Sequence, residues 1–280
     1  MPSLTNHQSN DFVKLLLLGD AKSGKTGSLV SLVKAGYKLR ILDMDNLLDI
    51  LKGMIEHHCP DKIANVEFRT LRDKYKAGSA GSVLDGKPKA WTDSLKMLNE
   101  WKYTEDGVEV NLGKPWEWDR DCILVIDSLS RWCDAAYDFH EVMAGPGMDG
   151  RAIYGNAQDD VEKQIASITA KNMTCHVIVI AHGVYLDQED GTTKIFPQGV
   201  GNKLSPKIPQ YFPNYIRYKN VGGKRTIQMK SDSMINLANA RPFVMKESYD
   251  IEDGLAQIFQ TLVGDPPGAE AKPVLKLKRM

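Results

Sequence analysis

One stretch near the start of the chain has residue types and spacing suited to phosphate chemistry. Gly19-Asp20-Ala21-Lys22-Ser23-Gly24-Lys25-Thr26 fits G-x-x-x-x-G-K-[ST] at every fixed position, and Gly27 follows. Glycines let the backbone approach a polyphosphate closely, and successive N–H groups of such a loop point inward around phosphate oxygens. The lysine neutralises charge on the β- and γ-phosphates, and the threonine hydroxyl ligates Mg²⁺. Residues 19–27 are therefore nucleotide-binding candidates for ATP with Mg²⁺. Lys25 is also a catalytic candidate and Thr26 a metal ligand.

Asp127 closes the apolar run Cys122-Ile123-Leu124-Val125-Ile126. A carboxylate at the end of a buried strand, downstream of such a loop, is the Walker B arrangement and a second Mg²⁺ ligand. Ser128 follows, with a hydroxyl suited to the water or the metal shell. Asp45 comes after a second apolar run, where a carboxylate can polarise an attacking water. Asp43 and Asp49 compete with it, and all three acids also suit loop and helix-cap positions. His182, in Ala181-His182-Gly183, is a third catalytic candidate, placed to sense a γ-phosphate; a strand-end histidine satisfied by backbone is the plainer alternative. His57-His58-Cys59 reads as surface or packing, because adjacent side chains converge poorly on one ion.

These residues need elements to hold them. Val13–Leu18 reads as a buried central strand, 25–35 as a helix stopped by Gly36, and Leu39–Asp43 as a second strand, giving a βαβ unit. The stretch 52–120 breaks the pattern and reads as an irregular insertion. Within it, 76–90 is an exposed loop, 91–102 a helix, and 105–118 a short hairpin or irregular loop. Cys122–Asp127 is a third strand and His176–Ala181 a fourth, fed by a helix over 159–171. Glycines at 145, 147, 150 and 155 make 140–157 a mobile loop, and 183–209 is a long polar loop. Residues 214–219 and 225–230 form a hairpin, and 251–263 a helix. The expected class is α/β, with a mostly parallel central sheet flanked by helices and a C-terminal hairpin and helix. The expected layout is a polar tail at 1–11, one domain at 12–264 and a disordered basic tail at 265–280.

Bulk composition narrows the partners. Lys+Arg and Asp+Glu are both 36 in 280 residues, so any nucleic-acid contact must come from local patches. The cysteines at 59, 122, 133 and 175 form no C-x-x-C pair, which suits reduced thiols in a cytoplasmic protein. The start lacks a signal-peptide core, and no apolar run reaches the ~20 residues of a membrane helix.

In their order these motifs resemble the RecA/RadA class of P-loop ATPases, although the stretch between Asp45 and Asp127 is longer than in RecA itself. Leu42–Asp49 is similar to the segment holding that class's catalytic carboxylate, with Asp45 where Glu is usual. Asp127-Ser128 matches its Walker B ending, and His182 stands where Gln or Asn is usual. The chain is similar, over about 13–263, to compact phage-encoded RecA-like ATPases, including Sak-type single-strand annealing proteins. The resemblance implies a RecA-like P-loop fold, ATP hydrolysis and action on single-stranded DNA in recombination, annealing or replication. It also implies a homo-oligomeric ring or filament. Loops 140–157 and 183–209 would then face the strand, with Arg151, Lys194, Lys203 and Lys207 on phosphates and Tyr154, Tyr185 and Phe196 stacking on bases. A neighbouring subunit would supply a basic finger, for which Lys224 and Arg225 are candidates. A P-loop ATPase acting on a protein partner is the alternative. A small-molecule kinase with 183–209 as lid lacks an Arg-rich lid motif.

Overall fold

The computed structural model describes residues 11–79, 81–145 and 147–265. The expected N-terminal tail lies almost entirely outside these residues, and so does the expected basic tail after Asp265. An eight-stranded sheet organises the chain, in the order β14-β13-β12-β1-β9-β8-β2-β3. Six neighbouring strands are parallel: β12 (Asn214–Val221), β1 (Lys14–Gly19), β9 (His176–Ala181), β8 (Cys122–Asp127), β2 (Lys38–Asp43) and β3 (Val66–Thr70). β13 (Lys224–Gln228) and β14 (Ser248–Asp250) extend one edge antiparallel. This is the mostly parallel α/β sheet with a C-terminal hairpin that the sequence predicts.

The continuous apolar runs follow from burial on both faces of the sheet. Leu16, Leu18, Leu124, Ile126, Val177 and Val179 point into one core. α4 (Ala90–Asn99), α5 (Leu129–Ala144) and α6 (Gly150–Thr169) cover that side. Leu15, Leu17, Ile123, Val125, Ile178 and Ile180 point into the other. There α1 (Lys25–Ser28), α2 (Val30–Ala35), α3 (Asp49–His58) and α8 (Gly254–Val263) pack. Among the described residues no helix is long and apolar enough to cross a membrane.

Three sequence expectations change. Residues 140–157 are mostly helical: α5 runs to Ala144 and α6 starts at Gly150, capped by the Asp149 side chain accepting from Arg151 N at 3.0 Å. Ile153, Ala157, Val161, Ile165 and Ile168 form one buried stripe, which carries Gly150 and Gly155 into the helix. The loop 183–209 is also ordered. β10 (Gly183–Asp187) and β11 (Thr193–Pro197) pair as an antiparallel hairpin, anchored by buried Ile195, whose N–H donates to Met234 O at 2.9 Å. A short helix α7 (Gly201–Leu204) follows.

The third change is in 52–120, which is built of regular elements. α3 buries Leu51 and Ile55, and β3 adds a parallel strand to the sheet. β4 (Tyr75–Gly78) with β5 (Gly81–Leu84), and β6 (Lys102–Glu105) with β7 (Val108–Asn111), form two hairpins. The expected loop at 76–90 therefore contains the first hairpin, and the second lies slightly earlier than expected. His57 and His58 are exposed and stack edge to face at 4.7 Å, while Cys59 is buried.

Candidate nucleotide site

β1 delivers Gly19 to the sheet's C-terminal edge between β12 and β9. There is no room for a side chain at Gly19: a Cβ would stand 2.8 Å from Tyr218 O. The chain then reverses through Lys22 at φ 63° and Gly24 at φ 98°. A Cβ on Gly24 would also meet Ile251 Cδ1 at 2.4 Å and Arg225 Cδ at 3.4 Å. The loop closes on the ammonium of Lys25, which donates to Gly19 O at 2.7 Å, Asp20 O at 2.9 Å and Ser23 Oγ at 3.4 Å. Burial pulls the Lys25 pKa down to about 8, against Asp127, Asp20 and Asp45, which favour the charged form. A buried cation resting on neutral oxygens gains from an arriving anion. The helix behind the loop is shorter than the sequence predicts, since 25–35 divides at Leu29 into α1 and α2.

β9 separates β1 from β8, and the loop reaches across it. Thr26 Oγ1 donates to Asp127 Oδ2 at 2.6 Å. Burial pushes the Asp127 pKa up to about 6; the Thr26 hydroxyl opposes the rise, Asp45 and Asp43 add to it, and Lys25 opposes it. A hydroxyl and a carboxylate side by side, with the carboxylate short of positive charge, fit a hard divalent cation that takes its remaining ligands from phosphate and water. Among the described residues no three His, Cys, Asp or Glu side chains gather into a metal cage.

The three acids after β2 lie in different surroundings. Asp43 is buried and tied into the turn, accepting from Asn46 N at 2.7 Å and Thr70 Oγ1 at 2.8 Å. Asp49 starts α3 and is exposed. Asp45 turns toward β8: Met44 N and Asp45 N donate to Asp127 O at 2.6 and 3.3 Å. Its Oδ1 accepts from Ser128 Oγ at 3.1 Å and lies 3.8 Å from Arg131 Nε, and its Oδ2 stands 3.4 Å from His182 Nε2. Burial alone would raise the Asp45 pKa, but His182, Ser128 and Arg131 outweigh it and hold the carboxyl below its usual value. His182 N donates to Ser130 Oγ at 3.1 Å, and His182 O accepts from Gln198 N at 2.9 Å. The sequence offered no signal for Arg131, Ser130 or Tyr218.

The remaining candidates are dispersed. Arg151 and Tyr154 are exposed on α6, with the Tyr154 ring 4.6 Å from Tyr137. Tyr185 on β10 is exposed, and its hydroxyl donates to Asp20 Oδ1 at 3.3 Å. Lys194 and Phe196 are half-buried on β11. Lys203 is exposed on α7, while Lys207 pairs with Glu162 at 3.4 Å. Lys224 and Arg225 open β13, and Arg225 lies against Gly24 of its own chain. Residues 129–210 hold ten acids against seven Lys and Arg, so this surface carries no basic excess for a phosphate backbone.

No family model matches the chain, and no curated protein matches it. Among solved structures it is similar to a prototypical ATPase from the type III secretion system of pathogenic bacteria. The identity is 10% and the TM-score 0.39, over 74% of this chain and 51% of the other. The chain thus spans about half the length of that neighbour.

Proposed function

We propose that the chain binds ATP with Mg²⁺ and hydrolyses it, as a RecA-like P-loop ATPase. The observation that carries this reading is the Thr26–Asp127 contact at 2.6 Å beside the buried Lys25 ammonium. In this reading the Lys25 ammonium leaves its carbonyl partners for the β- and γ-phosphates. Thr26 and Asp127 hold the metal, which when bound neutralises phosphate charge. Asp45 orients the attacking water and accepts its proton, and Ser128 and His182 fix the carboxylate for that task. Lys224 and Arg225, at the start of β13 near Gly24, remain the candidates for a basic finger offered to a neighbouring subunit's nucleotide. Phosphate release, measured with and without Mg²⁺ on wild type and Lys25→Ala, tests the proposal. Wild-type turnover in the variant removes it.

Tyr185 on Asp20 links β10 to the nucleotide loop, and His182, just before β10, contacts Asp45 after β2. The hairpin is thus the element through which occupancy reaches a partner. The acid excess over 129–210 favours a protein partner. Single-stranded DNA is the second reading, with annealing its narrowest form; it is favoured by Tyr154 exposed on α6 and Lys203 exposed on α7, which packs against α6. If DNA is the partner, single strands raise turnover. Lys203→Ala with Lys207→Ala then flattens the salt dependence of binding by roughly 0.7 for each phosphate no longer neutralised. Assembly into a ring or filament is tested by sedimentation with a non-hydrolysable ATP analogue.

A further inference from the structure

A cavity of about 400 Å³ opens between α5, α6, β10 and the turn at 198–205, away from the phosphate loop. Tyr75, Tyr137 and Tyr154 line it together with Asp134 and Asp138, and no lysine or arginine does. A smaller cavity of about 70 Å³ shares Tyr75, Asp134 and Asp138 and adds Asp73. Asp73 Oδ1 accepts from Lys89 N and Ala90 N, but its Oδ2 is buried with no hydrogen-bond partner. Arg72 and Arg131 line this smaller space, and Arg131 pairs with Asp134 at 3.0 Å. Asp73 and Asp138 have no ion-pair partner among the described residues; the Tyr75 hydroxyl donates to Asp138.

We propose that this tyrosine-lined acidic cavity binds the guanidinium or ammonium group of a basic segment in a protein partner. Three aromatic rings beside the Asp138 carboxylate, which has no ion-pair partner among the described residues, offer cation–π and charge-assisted contacts together, a combination that suits a large organic cation. Among the described residues no three acids here gather into a metal cage. Burial raises the Asp138 pKa; the Tyr75 hydroxyl opposes this, and Asp134, Asp73 and Glu141 add to it. A polypeptide fits better than a free cation because Val142 and Met143, one turn beyond Asp138 on α5, and Met148, just before α6, are exposed apolar surface that a small cation would not cover. Val184 and Gln198 bring the occupant to the base of the β10–β11 hairpin. The inference sharpens the protein-partner reading and does not depend on hydrolysis.

The test is fluorescence anisotropy of a labelled hexa-arginine peptide on the full chain. Asp138→Asn keeps an acceptor for Tyr75 and should weaken binding about three- to tenfold, as should Tyr154→Leu, which keeps bulk without a π face. Asp61→Asn, on the exposed turn after α3, should leave affinity unchanged. Hexa-glutamate should not bind, and spermidine at equal concentration should not displace the peptide. Full affinity in both cavity variants, an equal loss in the Asp61 control, or displacement by spermidine overturns the proposal. So does an oligo-dT strand whose binding falls with Tyr154→Leu. Phosphate release separates this from the ATPase reading, since Asp138→Asn should hydrolyse ATP without peptide as wild type does.

Discussion

The ends of β8 and β2 lie side by side, and each presents a carboxylate, but their surroundings differ. Asp127 is almost fully buried and meets one hydroxyl, so its pKa rises to about 6. Asp45 is approached by His182, Ser128 and Arg131 and stays below its usual value. One carboxylate lacks positive charge and is suited to receive a cation. The other is already held in place as an ion and is suited to orient a water. Two acids a strand apart thus differ in character because of what faces them, not because of their position in a motif.

The largest expected effect removes the charge that faces both. Lys25→Ala should lower ATP turnover by several powers of ten, on the order of 3–5 kcal/mol. Near-wild-type turnover would leave both carboxylates as scaffolding. Exchanging the acids sharpens the contrast. Asp45→Asn should keep nucleotide affinity and lose about 10²- to 10⁴-fold in turnover, because the amide cannot take the proton. Asp127→Asn should instead weaken nucleotide binding in a Mg²⁺-dependent way. Equal phenotypes in binding and turnover assays would collapse the distinction.

A third prediction follows from the raised Asp127 pKa. Between the unfolded carboxyl value near ~3.9 and about 6, the folded state binds more protons, so this residue's contribution to stability falls as pH rises through that window. Without metal, Asp127→Asn should therefore be more stable than wild type above pH 6, by about 1–3 kcal/mol. The gain should vanish near pH 4. Urea melts in chelator at both ends of the window test this, and a gain that persists at low pH would assign it to packing. The smallest effect concerns the link outward. Tyr185→Phe should change stability by less than about 1 kcal/mol. It should also remove any nucleotide-dependent change in hydrogen exchange over 184–197. A response that survives would mean that His182 alone carries the coupling.

The sequence made the α/β architecture legible because its strands are buried on both faces and read as unbroken apolar runs. The loop at 19–26 was legible because its geometry is local. The choice among Asp43, Asp45 and Asp49 was not, since it turns on Thr70 of β3, a strand hidden inside an apparently irregular stretch. Arg225 and Ile251 crowd Gly24 from more than 200 residues away, a closeness set by sheet order alone. The helix at 150–169 was obscured by two glycines, although its apolar spacing was present. The β10–β11 hairpin was obscured because only Ile195 and Pro197 of its ten strand residues are buried.

The two cores also differ optically. Trp91, Trp101, Trp118 and Trp132 are buried on the α4–α5–α6 side of the sheet, and Trp116 packs against them. These are all five tryptophans of the chain, and the other core contains none. Intrinsic tryptophan emission is therefore a one-sided probe that samples the face carrying α5 and not the face packed on α1, α2 and α8. Trp132 lies one helical turn beyond Ser128 and stacks on Trp91 at 5.2 Å. A nucleotide that shifts the end of β8 should then register as a change in colour or quenching, whereas loosening of α8 alone should pass unseen.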